Sequence, residues 1–159
     1  MSELARILVI DDEAAIRKTL SAILTDAGYV VDTAENGKQA IDKVKASFYN
    51  LALIDIRLPD IEGTKLLTAL DETTPKMRKV ILTGYPALEN AVKAINKGVD
   101  YYLIKPINPD ELLRVIKELL GKQEQEKEYG QEKLAQFVEN RFKELEAQES
   151  NNSMTEKKE

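Results

Sequence analysis

Apolar residues along the chain follow two alternating rhythms. One is a set of short continuous runs: Ile7-Leu8-Val9-Ile10, Leu51-Ala52-Leu53-Ile54, Val80-Ile81-Leu82 and Tyr101-Tyr102-Leu103-Ile104. Such runs read as strands buried on both faces, as in a parallel sheet between helices. A more polar stretch, Tyr29 to Ala34, suits a strand at a sheet edge. The other rhythm is helical. Ile16, Leu20, Ile23, Leu24 and Ala27 share one face, as do Ala40, Ile41 and Val44, and then Leu66, Leu67 and Leu70. Leu88, Ala91, Val92 and Ile95 form a fourth stripe, and Leu112, Val115, Ile116 and Leu119 a fifth.

The punctuation agrees with these rhythms. Gly28 suits the residue just past a helix end, Asn36-Gly37 a turn, and Pro75, Gly84, Pro86 and Gly98 are breaks. Asn108, Pro109 and Glu111 form a helix-start signature. Strand and helix thus alternate five times, the pattern of an α/β doubly wound parallel sheet.

Past Gly121 the composition changes. Lys122–Lys133 is almost entirely Lys, Gln and Glu apart from Tyr129 and Gly130. Leu134, Phe137, Val138, Phe142 and Leu145 then restore a helical stripe, supported by Glu139 and Lys143 at i,i+4. The expected organisation is a domain over 5–121, a charged linker with an amphipathic helix over 122–149, and a disordered tail over 150–159. The stripe is shorter than an independent coiled coil requires, so the helix is expected to dock on a partner or pair two chains.

Composition narrows the chemistry. The 159 residues hold no cysteine and no histidine, which leaves carboxylates, hydroxyls and lysines to act. A net charge of −5 argues against a broad nucleic-acid footprint. From Lys122 onward seven basic and ten acidic side chains give a net of −3, no recognition surface for DNA. No stretch approaches the roughly 20 apolar residues of a membrane span, and the N-terminus lacks a signal-peptide apolar region, so a cytoplasmic protein is expected.

Four of the five strands end in a reactive polar group: Asp11 and Asp12, Asp55, Thr83, and Lys105. In an open parallel sheet all strand C-termini lie on one edge, where ligands bind. Taken singly, each residue has an ordinary reading: Asp12 as a helix cap, Asp55 as a turn residue, Thr83 as a strand former, Lys105 as a solvated charge. Taken together they make a hard-oxygen site suited to Mg²⁺, flanked by a hydroxyl and an ammonium that can cradle a phosphoryl group. Carboxylates are known nucleophiles that form aspartyl-phosphates.

The chain resembles the receiver domain of two-component response regulators, over about Ala5 to Leu120. The resemblance rests on Ile7-Leu8-Val9-Ile10-Asp11-Asp12-Glu13, on Leu53-Ile54-Asp55-Ile56-Arg57-Leu58-Pro59-Asp60-Ile61-Glu62-Gly63, on Leu82-Thr83-Gly84, and on Gly98 to Pro106. It implies a flavodoxin-like five-stranded sheet of order 2-1-3-4-5. It also implies that Asp55 accepts a phosphoryl group from a sensor histidine kinase or phosphotransfer protein. Asp11, Asp12, Asp55 and the backbone carbonyl of Arg57 would form the Mg²⁺ site, with Asp12, Asp55 and that carbonyl as direct ligands. Thr83 would follow the phosphoryl group, Lys105 would pair with it, and Tyr102 matches an aromatic position that turns inward on activation. A cis bond before Pro106 is also implied.

Signalling would then run through the face formed by the fourth helix, fifth strand and fifth helix, toward a downstream protein or a second copy. Arg57 and Tyr85 flank the path of attacking water and are candidates for tuning phosphate lifetime. Because the chain has no histidine, its phosphodonor must be external. Two rival readings stand beside this one. The chain could be the receiver fragment of a longer regulator or hybrid kinase whose output domain lies elsewhere. It could also be an aspartate-nucleophile phosphatase, but that family carries Asp-x-Asp after its first strand, whereas here Asp11 and Asp12 are adjacent and Arg57 follows Asp55 by two. On the leading reading the protein is a signalling phosphoacceptor and not an enzyme.

Overall fold

A computed structural model describes residues 4–61, 63–70, 76–84 and 98–156. Its elements run β1 (Arg6–Ile10), α1 (Ala14–Asp26), β2 (Val30–Ala34), α2 (Gly37–Ala46), β3 (Leu51–Asp55), α3 (Gly63–Ala69), β4 (Arg78–Thr83), β5 (Tyr101–Ile104) and α4 (Pro109–Glu156). The helix expected over Leu88 to Ile95 lies outside the described residues. The five strands form one sheet of order β2-β1-β3-β4-β5, every neighbouring pair parallel.

The continuous apolar runs are explained by the sheet having two covered faces. Successive side chains on a strand point to opposite sides. Ile7, Val9, Leu51, Leu53, Val80, Leu82 and Leu103 therefore pack with Leu20 and Leu24 of α1 and with Leu112, Val115, Ile116 and Leu119 of α4. Leu8, Ile10, Ala52, Ile54 and Ile81 pack on the other side with Ala40 of α2 and with Leu66, Leu67 and Leu70. β5 is an edge strand, and its Ile104 stays half exposed.

The helix ends show which local signals acted. Gly28 follows the α1 C-cap with φ +97°, the left-handed region where a side chain is strained. Asn36-Gly37 does not form a free turn. Asn36 is the N-cap of α2, its side chain accepting from the Gln39 amide, and Gly37 is the first helical residue. The reason lies across the chain: Asp60 accepts from the Gly37 and Lys38 amides at 2.9 and 3.0 Å, satisfying donors that a helix start leaves open. A Cβ at Gly37 would sit 2.0 Å from Ile61 Cγ2, so glycine is needed here for close approach. Asn108 caps α4 as its signature indicates, accepting from the Asp110 and Glu111 amides.

The C-terminal region differs from expectation. Instead of a linker from Lys122 and disorder from Ser150, helical backbone continues from Pro109 through Gly121 and Gly130 to Glu156. Lys, Glu and Gln are good helix formers, and pairs such as Lys122–Glu118 and Lys143–Glu139 brace exposed turns. The chain divides into two compact units, 1–123 and 124–159. The first extends two residues past the expected boundary because Gln123 is buried. Its Nε2 donates to the carbonyls of Asn50 and Lys76 at 2.8 and 3.0 Å, and its Oε1 accepts from Asn50 Nδ2.

Candidate functional site

The sheet register brings the predicted residues to one edge. Ile10 pairs with Ile54, Asp55 with Leu82, and Thr83 with Ile104. Pairing carries past the strand ends, since the Asp11, Ile56 and Lys105 amides donate to Ala34, Leu82 and Thr83 carbonyls. Asp11 and Asp55 therefore hang at one level from adjacent strands, with Lys105 reaching back from β5.

Lys105 Nζ lies 3.1 Å from Asp11 Oδ2 and 3.6 Å from Asp55 Oδ2. Asp11 is fully buried and both its oxygens are engaged, Oδ1 by the Glu13 amide and Oδ2 by Lys105. Asp55 is 6% exposed, and its Oδ1 accepts from the Arg57 amide at 3.0 Å. Asp12 is exposed, and the N-cap of α1 is Glu13, so Asp12 is not spent on capping. Thr83 is buried at the end of β4. Tyr102 is partly buried against the cluster containing Ile54 and Ile81. Asp12, Glu13, Asp55, Ile56, Arg57, Gly84 and Lys105 line one cavity. Tyr85 lies outside the described residues, and the peptide bond before Pro106 is cis.

The electrostatics are those of a charged group held against its preference. Burial pushes the Asp55 carboxyl up from 3.8 to about 6. The Arg57 amide and Lys105 oppose that rise, while the Asp11 and Asp12 charges add to it. Burial alone would lower Lys105, but its hydrogen bond to Asp11 and the charge of Asp55 hold it above its ordinary value. One carboxylate oxygen from each of Asp11, Asp12 and Asp55 lies within 4.8 Å of the others. That donor set of hard oxygens fits a divalent cation that keeps some of its waters. The Asp11 oxygens each already accept from one protein donor, whereas Asp12 is exposed.

The topology is matched by known proteins. A profile for the response regulator receiver domain matches residues 7–117. The chain belongs to the response regulator receiver family. Among relatives, the alginate biosynthesis transcriptional regulatory protein AlgB of Pseudomonas putida is 40% identical over 107 residues, 67% of this chain and 24% of that protein. Among solved structures, a CheY-like receiver domain protein from Methanospirillum hungatei is 46% identical with a TM-score of 0.72, covering 78% of this chain and 99% of that one. NtrX from Brucella abortus is 30% identical with a TM-score of 0.73, covering 80% of this chain and 29% of that one. The match thus spans about a quarter of the length of AlgB and about half of shorter curated relatives such as CusR of Escherichia coli.

Two supporting contacts had no signal in the sequence. Arg17 Nη1 donates to the Asp11 carbonyl at 2.7 Å while its other nitrogen meets Glu35 at 3.5 Å, tying α1 to the first acidic turn. Asp60 latches the loop after Asp55 to α2 by accepting from the Gly37 and Lys38 amides. Both contacts join positions distant in the chain, so neither periodicity nor spacing points to them.

Proposed function

We infer that this receiver accepts a phosphoryl group on Asp55 from a phosphohistidine of a sensor kinase or phosphotransfer protein. An Asp55 carboxylate oxygen attacks phosphorus, the phosphorus–imidazole bond breaks, and the imidazole leaves with its electron pair and takes up a proton. Water later cleaves the acyl phosphate and restores the carboxylate. The observation that carries this reading is the Lys105 ammonium held beside both Asp55 and Asp11 at the strand edge.

Asp12, Asp55 and the Arg57 carbonyl would hold Mg²⁺, with Asp11 behind them, and the ion when bound supplies neutralisation of phosphoryl oxygens. Lys105 pairs with another of those oxygens, and Thr83 hydrogen-bonds a third. Charge delivered to Asp55 biases a two-state equilibrium in which Thr83 and Tyr102 move together, altering the face around β5 that a downstream protein reads. The receiver acts as a phosphoacceptor in the cytoplasm, catalysing only its own phosphorylation and dephosphorylation. Arg57 and Tyr85 hinder attacking water and lengthen phosphate lifetime; phosphate loss no faster in Arg57→Ala and Tyr85→Ala than in the parent would sink that role.

The central test is labelling with a small phosphodonor, read by intact mass. The parent gains one phosphoryl group when Mg²⁺ is present and none when it is chelated, and Asp55→Asn gains none. Equal labelling of the variant overturns the assignment. A second reading, a receiver portion of a longer regulator, is favoured by the quarter-length match to AlgB. The mass of the protein detected in cells by an antibody to the receiver separates the two.

A further inference from the structure

The 124–159 unit carries an apolar stripe that its own helix does not cover. Leu134 is 63% exposed, Phe137 68%, Phe142 63%, Val138 44% and Leu145 42%. Tyr129, by contrast, has the Lys133 ammonium 4.8 Å from its ring centre. Steps of three and four residues put the five side chains along one side of the helix over three turns.

We propose that this stripe pairs with the same stripe of a second copy of the chain. The first argument is area. A buried aromatic contributes about 150–250 Å². At their observed exposures the five side chains offer about 500 Å² per helix, near the upper end of the largest patches that monomers leave and of a size that is often functional. Two copies together remove about 1,000 Å², the lower bound for a specific interface.

The second argument is charge. Between Lys133 and Glu146 three basic side chains (Lys133, Arg141, Lys143) balance three acidic ones (Glu139, Glu144, Glu146). Two pairs are already closed within the helix, Arg141–Glu144 at 3.1 Å and Lys143–Glu139 at 3.4 Å. Two such faces approach without net repulsion, whereas Lys122 to Glu132 carries two basic and four acidic residues and would repel its own copy. The neutral window coincides with the apolar one. A strongly charged partner would find nothing complementary there.

Sedimentation velocity of the full chain, without Mg²⁺ or phosphodonor, tests this. The 17.9 kDa chain is expected to approach twice its mass as its concentration rises to about 200 µM, as a small interface without exceptional anchors binds weakly. Phe137→Glu with Phe142→Glu should weaken pairing about 30-fold or more, the scale of lost anchor residues. The helix signal in circular dichroism and labelling of the receiver should stay unchanged in that variant. The chain has no cysteine, so Val138→Cys gives a clean second reading, an intermolecular disulfide under mild oxidation. A chain that stays monomeric at 200 µM, with no Val138→Cys cross-link, overturns the proposal in favour of another occupant. A dimer that survives the double substitution also overturns it, because pairing then runs through another surface.

Discussion

Asp55→Asn in metal-free buffer should make the receiver more stable, even though it removes the proposed phosphoacceptor. Asp55 is 6% exposed, and burial moves its carboxyl from 3.8 to about 6. A group protonated more readily folded than unfolded favours the fold at low pH and opposes it once ionised. Below about 3.8 the side chain is neutral in both states and carries no penalty. Between 3.8 and 6 the penalty grows, and above 6 it is complete. Two units correspond to at most about 3 kcal/mol. Solvent reaching the cavity and relaxation around the charge reduce this, leaving about 2 kcal/mol, or about 6 °C in Tm for a domain of this size. Asn keeps a carbonyl oxygen to accept the Arg57 amide, and Lys105 keeps Asp11. Urea unfolding followed by circular dichroism with a chelator present, at pH 4, 6 and 8, reads the effect. Millimolar Mg²⁺ should narrow the gap by stabilising the folded parent. A variant no more stable than the parent at pH 8, or a gain that persists unchanged at pH 4, refutes the reasoning.

Further outcomes follow from contacts already described. The Asp55 carboxyl, followed by carbon NMR without metal, should titrate near pH 6, and Lys105→Met should move that midpoint upward by about one unit or more, given a charge 3.6 Å away; an unmoved midpoint would discount the ion pair. Gln123→Ala removes donors from the Asn50 and Lys76 carbonyls and should cost about 1–3 kcal/mol in urea titrations, while labelling of the receiver persists. Gly37→Ala drives a Cβ into Ile61 and should cost about 1–3 kcal/mol; a melting curve matching the parent would show that the acceptor loop gives way freely.

Most of the fold and the central residues were legible in the sequence because both are written in local patterns. Apolar runs of three or four residues ending at Asp11, Asp55, Thr83 and Lys105 mark strands, and a parallel sheet then assembles the ends without further information. What escaped was set by distance in the chain or by a balance of similar terms. Asn36-Gly37 has turn chemistry, but a carboxylate 23 residues away recruits it to a helix start. The Lys122–Lys133 segment has both the composition of a solvated linker and the propensity of a helix. With no apolar stripe to decide, the sequence alone does not choose between them. Gln123 resembles its polar neighbours in every sequence respect and differs only in what it meets.

The ladder beneath the site has a consequence for how this protein can diversify. Asp11 and Asp55 are separated by the spacing between hydrogen-bonded strands, about 4.8 Å in any sheet, and Lys105 reaches them from a strand end whose register is set the same way. The dimensions of the acidic pocket are thus inherited from the peptide bond and do not depend on which side chains clothe the helices. Exposed helix surfaces can be rewritten residue by residue while the geometry of the strand ends stays fixed. An engineer seeking a new pairing partner should therefore work on helix exteriors and leave the strand ends alone.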